Sequence, residues 1–188
     1  MTSPTSTSHA PSAQPLAVSI RRMTLEDIPQ VAAVDQLSFS LPWSEKSFRF
    51  EVLENDASLL WVAEAIGPDG LRQVVGMIVV WLVVDEAHVA TIAVHPEYRG
   101  LGLGRRLLAA VLADAIQQGA CLATLEVRQG NTVAQELYRK FGFQVVGERA
   151  HYYNDNSEDA LIMTVNGLDQ AYLDRLPVEH SENSGGCP

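Results

Sequence analysis

The sequence predicts a single α/β domain with a mixed central β-sheet flanked by helices. Three observations predict it. Helical periodicity alternates with short apolar strand runs through the middle of the chain, and hairpin-like strand pairs stand on either side. A glycine-rich run, Gly100 to Gly104, joins a strand directly to an amphipathic helix. The 188 residues suffice for one domain with a full core, and a hydrophobic content of 47 % excludes wholesale disorder.

Taken in order, Leu16 to Met23 alternates weakly and reads as a first strand. Thr24-Leu-Glu-Asp27 opens a helix to about Leu37, with Asp27 where a capping box usually has Glu or Gln. Ile28, Val31, Ala32 and Val34 form its apolar face, and Pro29 falls in the first turn, where proline is tolerated. Ser44 caps a second helix, about Glu45 to Glu54. Strands follow at Ser58 to Ala65, Gln73 to Val84 and Ala87 to Val94. Gly104 to Gln118 is the amphipathic helix, ended by Gly119. A short strand, Ala123 to Arg128, precedes a helix capped by Asn131 that runs to about Phe141. Gln144 to Tyr153 and Ala160 to Val165 close the domain as a hairpin. The domain is expected over residues 16–165, with a loose Ser/Thr/Pro-rich tail at 1–15 and a polar tail at 166–188.

The formal net charge of −10 argues against nucleic acid as a ligand and suits a basic peptide partner. No apolar run reaches the roughly 20 residues of a membrane helix. The N-terminus has no apolar secretory segment, and Cys121 and Cys187 do not make a disulfide framework. The expected compartment is therefore the cytoplasm. His9, His88, His95, His151 and His180 are scattered, so no metal is expected.

The informative stretch is Thr91-Ile-Ala-Val-His-Pro-Glu-Tyr-Arg-Gly-Leu-Gly-Leu-Gly-Arg-Arg-Leu-Leu108. Glycines let backbone N–H groups turn inward, and a helix start adds partial positive charge, so the run can cradle a pyrophosphate. It lacks the Lys of a Walker loop and the third glycine of a dinucleotide fingerprint. What remains is Arg99-x-x-Gly102-x-Gly104.

That spacing resembles the acetyl-CoA loop of the GNAT acetyltransferases. Asn131-Thr-Val-Ala-Gln-Glu-Leu-Tyr-Arg-Lys-Phe-Gly-Phe143 resembles the same family's Asn…Leu-Tyr-x-x-x-Gly-Phe helix. The resemblance covers roughly Val18 to Val165 and implies a GNAT-type domain that uses acetyl-CoA. It implies that Arg99, Gly100, Leu101, Gly102, Leu103, Gly104 and Arg105 surround the pyrophosphate, chiefly through backbone N–H groups. It further implies that Ile92, Ala93 and Val94 pair with the pantetheine amides, that Asn131 binds the pantetheine arm, and that Tyr138 sits beside the thioester sulfur. A strand bulge at Val94 or its neighbour would leave a backbone N–H for the thioester oxygen.

Leu41-Pro-Trp-Ser-Glu-Lys-Ser-Phe48, Leu125-Glu-Val-Arg128 and His151-Tyr-Tyr153 resemble the RimI class within that family. The class acetylates the N-terminal alanine of ribosomal protein eighteen of the small subunit. The chain departs from it at Asn154, where proline is usual. The resemblance implies Glu126 as the base, and this acid does stand in an otherwise apolar strand where burial would favour its neutral form. It implies Tyr138 as the acid for the departing thiolate, and Trp43, Tyr152 and Tyr153 as walls of a peptide groove. Taken by themselves, Glu126 reads equally as a strand Glu paired with Arg128, and Tyr138 as a core aromatic. His88, His95 and Cys121 receive no role. Acetylation of a small amine or a lysine, and a non-catalytic CoA-binding module, stand as the alternatives.

Overall fold

The computed structural model describes residues 17–67 and 69–176. The expected N-terminal tail and the last part of the C-terminal one lie outside them. The elements are β1 (Ala17–Arg22), α1 (Ile28–Gln36), α2 (Glu45–Leu53), β2 (Ser58–Ile66), β3 (Arg72–Val83) and β4 (Glu86–Val94). They continue with α3 (Leu103–Gln117), β5 (Leu122–Arg128), α4 (Thr132–Lys140), β6 (Gln144–Tyr153), β7 (Glu158–Asn166) and α5 (Gln170–Arg175). One seven-stranded sheet has the order β1-β2-β3-β4-β5-β7-β6. All neighbours are antiparallel except β4 and β5.

β3 explains why the sheet needs helices on both faces. Val75, Ile78 and Val80 belong to the core under α3, whereas Val74, Met77 and Val79 belong to the core under α1 and α2. A strand buried on both sides reads as a continuous apolar run, as this one does. Gly76 is required by close approach: a Cβ there would stand 3.1 Å from the Ala93 carbonyl oxygen and from Leu107 Cδ1.

The starts of the helices follow their caps. Asp27 accepts the Thr24 backbone N–H at 2.8 Å and two hydrogen bonds from Arg21, at 2.7 and 2.8 Å. A short 3-10 turn, Leu25–Asp27, therefore precedes α1, which begins later than its sequence signal. Ser44 caps α2 by accepting the Ser47 N–H at 3.1 Å.

The expected polar tail from residue 166 needs correction. Leu168 and Tyr172 are buried, and the Tyr172 hydroxyl donates to the Phe141 carbonyl at 2.7 Å. The reason is local: Asp169 caps α5 by accepting the Tyr172 N–H at 2.7 Å, and this turns one apolar side of a short polar helix onto the core. Among the described residues, no helix is long and apolar enough to cross a membrane.

Candidate active site

The site begins where β4 and β5 part. They pair only from Glu86 to Val89 against Leu122 to Leu125. Beyond that, β5 stays with β7 as far as Arg128, while β4 stays with β3 as far as Val94. β4 also carries a bulge: Val79 pairs with Thr91 and Val80 with Val89, so Ala90 has no partner in the register. The bulge thus lies four residues before Val94, which itself pairs with Gly76.

A cleft of about 310 Å³ fills the gap. Its walls are Val89–Ile92 of β4, Glu126–Arg128 of β5, Asn131, Ala134 and Tyr138 around α4, Tyr153, and the segment from Asp35 to Trp43. A shallower groove of about 450 Å³ lies beyond Trp43, lined by Lys46, Phe50 and Trp81 among others. Glu126, Asn131 and Tyr138 line the first cleft and none of them lines the second, so the first is taken as the site.

β4 leads into Pro96–Tyr98, a 3-10 turn, and then into the loop that opens α3. Gly100 and Gly102 have φ of 80° and 75°, the left-handed region that side chains with a Cβ avoid. Gly102 is the N-cap of α3, so the N–H groups of Leu103 and Gly104 have no acceptor one turn earlier in the helix. The Arg99 side chain turns back, donating to the Val94 carbonyl at 3.1 Å. The loop thus offers backbone donors and a helix dipole to an anion, which fits a pyrophosphate. Asn131 lines the cleft while its side-chain oxygen accepts the Ala134 N–H at 3.1 Å. The donor it can offer a ligand is its amide nitrogen. Ile92 also lines the cleft, whereas Ala93 is buried in the core under α1 and Val94 packs against the core under α3.

Glu126 has a nearly buried side chain, 10 % exposed, at the cleft. Its surroundings are ionic, not the apolar ones its strand suggests: His88 Nε2 lies 3.1 Å from one carboxylate oxygen and Arg149 Nη2 3.2 Å from the other. Arg128 is not its partner. That guanidinium contacts Asp155 at 2.8 Å and Glu158 at 3.1 Å, and lies 3.8 Å from the Tyr153 ring centroid. Burial alone would lower its pKa, but the hydrogen bonds it donates to the two carboxylates outweigh burial and raise it. Ser40 donates to Asp155 as well, which links the α1–α2 segment to the β6–β7 turn.

Tyr138 is 5 % exposed and lines the same cleft. Burial, helped by nearby Tyr153, pushes its phenol well above the ordinary value, so it holds its proton at neutral pH. Burial likewise pushes Tyr153 up to about 12, against the pull of Arg128. Trp43 and Tyr153 line the cleft. Tyr152 does not: it is 41 % exposed and meets the Tyr153 ring edge-on at 5.2 Å. β6 is irregular just before them, with a register shift between Arg149 and Tyr153 and φ of 54° at His151, and this irregularity sets which of the two adjacent tyrosines meets the groove.

Asp35 is a cleft residue that sequence reasoning missed. It is fully buried; one oxygen accepts the Trp43 N–H at 2.6 Å and the other has no partner among the described residues. Burial raises its pKa, and the Trp43 bond opposes that only in part. The signal was present, since Asp35 stands seven residues after Ile28 on the apolar stripe of α1. Among the described residues, no group of three or more His, Cys, Asp and Glu side chains could hold a metal ion.

A family model described as the acetyltransferase (GNAT) family matches residues 28–143. A Bacillus subtilis protein, provisionally named a ribosomal protein bS18-alanine N-acetyltransferase, is 42 % identical over 147 residues, covering 78 % of this chain and 94 % of that one. The ribosomal protein bS18-alanine N-acetyltransferase of Escherichia coli K12 is 32 % identical over 78 % of this chain and 96 % of its own. The crystal structure of the E. coli enzyme superposes with a TM-score of 0.70 over 80 % of this chain and 94 % of that one, at 31 % identity. Ard1 of Thermoplasma volcanium also gives 0.70, at 29 % identity, over 81 % and 99 %.

Proposed function

This chain belongs to the acetyltransferase (GNAT) family, and on that premise we propose that it transfers an acetyl group from acetyl-CoA to a protein α-amine, the N-terminal alanine of ribosomal protein bS18. The observation that carries the reading is that Glu126 and Tyr138, an acid-base pair with unlike surroundings, line one cleft at the parting of β4 and β5. A ribosomal substrate would put the reaction in the cytoplasm, and the net charge of −10 favours a basic peptide.

When bound, acetyl-CoA supplies the activated acetyl group. The loop from Arg99 to Arg105 would hold its pyrophosphate, and Ile92, Ala93, Val94 and Asn131 its pantetheine arm. The bulge at Ala90 takes a residue of β4 out of the ladder with β3, and a backbone N–H freed there would serve the acyl oxygen. Glu126 takes a proton from the α-amine; with a pKa of about 7.7–8.0 that amine needs only modest help. Tyr138 keeps its proton for the departing thiolate because burial disfavours the phenolate. Trp43 and Tyr153 would wall the peptide.

The test is acetyl transfer to three peptides: one with the bS18 N-terminal sequence, one with its first residue changed, and one with its α-amine blocked but a lysine available. Transfer to the first alone supports the reading. Transfer to the blocked peptide would replace it with a lysine acetyltransferase.

A further inference from the structure

We propose that His88 carries the proton accepted by Glu126 out to solvent, acting through Glu126 and not on the substrate; this rests on the function proposed above. At neutral pH most α-amines are protonated. Acetyl transfer from a thioester to an ammonium yields an amide, a thiol and one free proton, so every turnover must discharge a proton from the base. Glu126 is poorly placed to shed it directly, being only 10 % exposed with Arg149 at one oxygen and His88 at the other. Arg149, on one oxygen, cannot act as a relay, because a guanidinium does not deprotonate.

His88 can. Its Nε2 is 3.1 Å from Glu126 Oε2, while its side chain is 30 % exposed. The ring is held in plane: it stacks on Trp81 at 5.9 Å and 19°, and Trp81 stacks on Trp43 at 6.1 Å and 19°. Trp81 is fixed in turn by donating its indole N–H to Glu51 at 3.0 Å. The groups facing His88 are thus Trp81 on β3 and Glu126 on β5. Arg149 lies behind that carboxylate, Glu51 behind Trp81, and the neutral Thr124 is its register partner.

The step balances. The ammonium N–H bond breaks as a carboxyl O–H bond forms on Glu126. The carboxyl proton passes from Oε2 to the lone pair of Nε2 on a neutral imidazole. The imidazolium then releases its Nδ1 proton to water or buffer, and proton exchange of the ring with solvent returns the Nδ1–H tautomer, which frees Nε2 for the next turnover.

The test compares wild type with His88→Gln, which keeps a hydrogen-bonding group but cannot carry a proton, at several pH values and imidazole concentrations. The expected result is a kcat about ten-fold lower in dilute buffer, restored progressively by imidazole, with KM for peptide and acetyl-CoA within two-fold of wild type. A kcat equal to wild type overturns the relay. So does a lowered kcat that buffer does not restore, which marks a structural role. His88→Asn is read the same way should His88→Gln not fold. Wild-type enzyme that transfers no acetyl group to the peptides overturns the functional reading, and the relay with it.

Discussion

The carboxylate of Asp35 holds the backbone N–H of Trp43 at 2.6 Å, and its second oxygen is buried without a partner among the described residues. One bond therefore ties the end of α1 to the residue just before the Ser44 cap of α2. It does so with a group whose ionised form is poorly solvated, and stability should register this through pH.

Asp35 has a folded-state pKa raised above its unfolded one, chiefly by burial. Between those values the folded state binds more protons, so its contribution is fully present below the unfolded pKa and is lost as pH rises through the folded pKa. Asp35→Asn keeps an acceptor for Trp43 and removes this dependence. Urea midpoints of variant and wild type at pH 4.5 and 7.5 should shift in the variant's favour as pH rises.

Gly102 tests the anion cradle. A valine at φ 75° is strained, by about 1–2 kcal/mol on steric grounds, although nothing lies within 4 Å of where its Cβ would stand. Gly102→Val should fold, yet bind acetyl-CoA at least ten-fold more weakly by calorimetry. Wild-type affinity would remove the loop from the cofactor site.

Glu126→Gln should lower kcat/KM for peptide by about 10²–10⁴, the usual worth of a positioned base. The loss should shrink towards high pH, where the free amine arrives deprotonated. A pH–rate profile with one good peptide reads both features. Wild-type rates at pH 7 would take Glu126 out of the mechanism.

Tyr138→Phe should slow turnover without rescue at high pH, because the missing step is protonation of the thiolate. Since burial raises the phenol's pKa, the wild-type enzyme should show no loss of activity from Tyr138 ionisation below pH 10. A descending limb near pH 9 that vanishes in Tyr138→Phe would contradict this.

Tyr172→Phe removes the only hydroxyl on the Phe141 carbonyl that the structure describes, and leaves that buried acceptor unpaired. It should cost about 1 kcal/mol of stability, seen in urea unfolding, and leave catalysis unchanged.

Much of this was legible because the signals are local. The order of strands and helices follows from apolar spacing, and the loop from Gly100 to Gly104 declares itself by composition. The partners of Glu126 were not legible. His88 and Arg149 lie 38 and 23 residues away in sequence, and they meet it only through the parallel register of β4 with β5 and the placing of β6 beyond β7. The bulge at Ala90 and the turning away of Tyr152 are likewise matters of register, which no single strand's sequence specifies. α5 was hidden for another reason: six residues are too few for helical periodicity to show.

The parting of β4 from β5 also bears on how the protein comes undone. Only four residue pairs join the β1–β4 half of the sheet to the β5–β7–β6 half along their shared edge. That makes a seam, and an occupant of the wedge lies across it like a stitch. Binding energy is then also cohesion between the halves: the apparent melting temperature should climb with ligand concentration, as linkage requires. The amides bordering the seam, not those at the outer edges of the sheet, should show the largest gain in protection from hydrogen exchange.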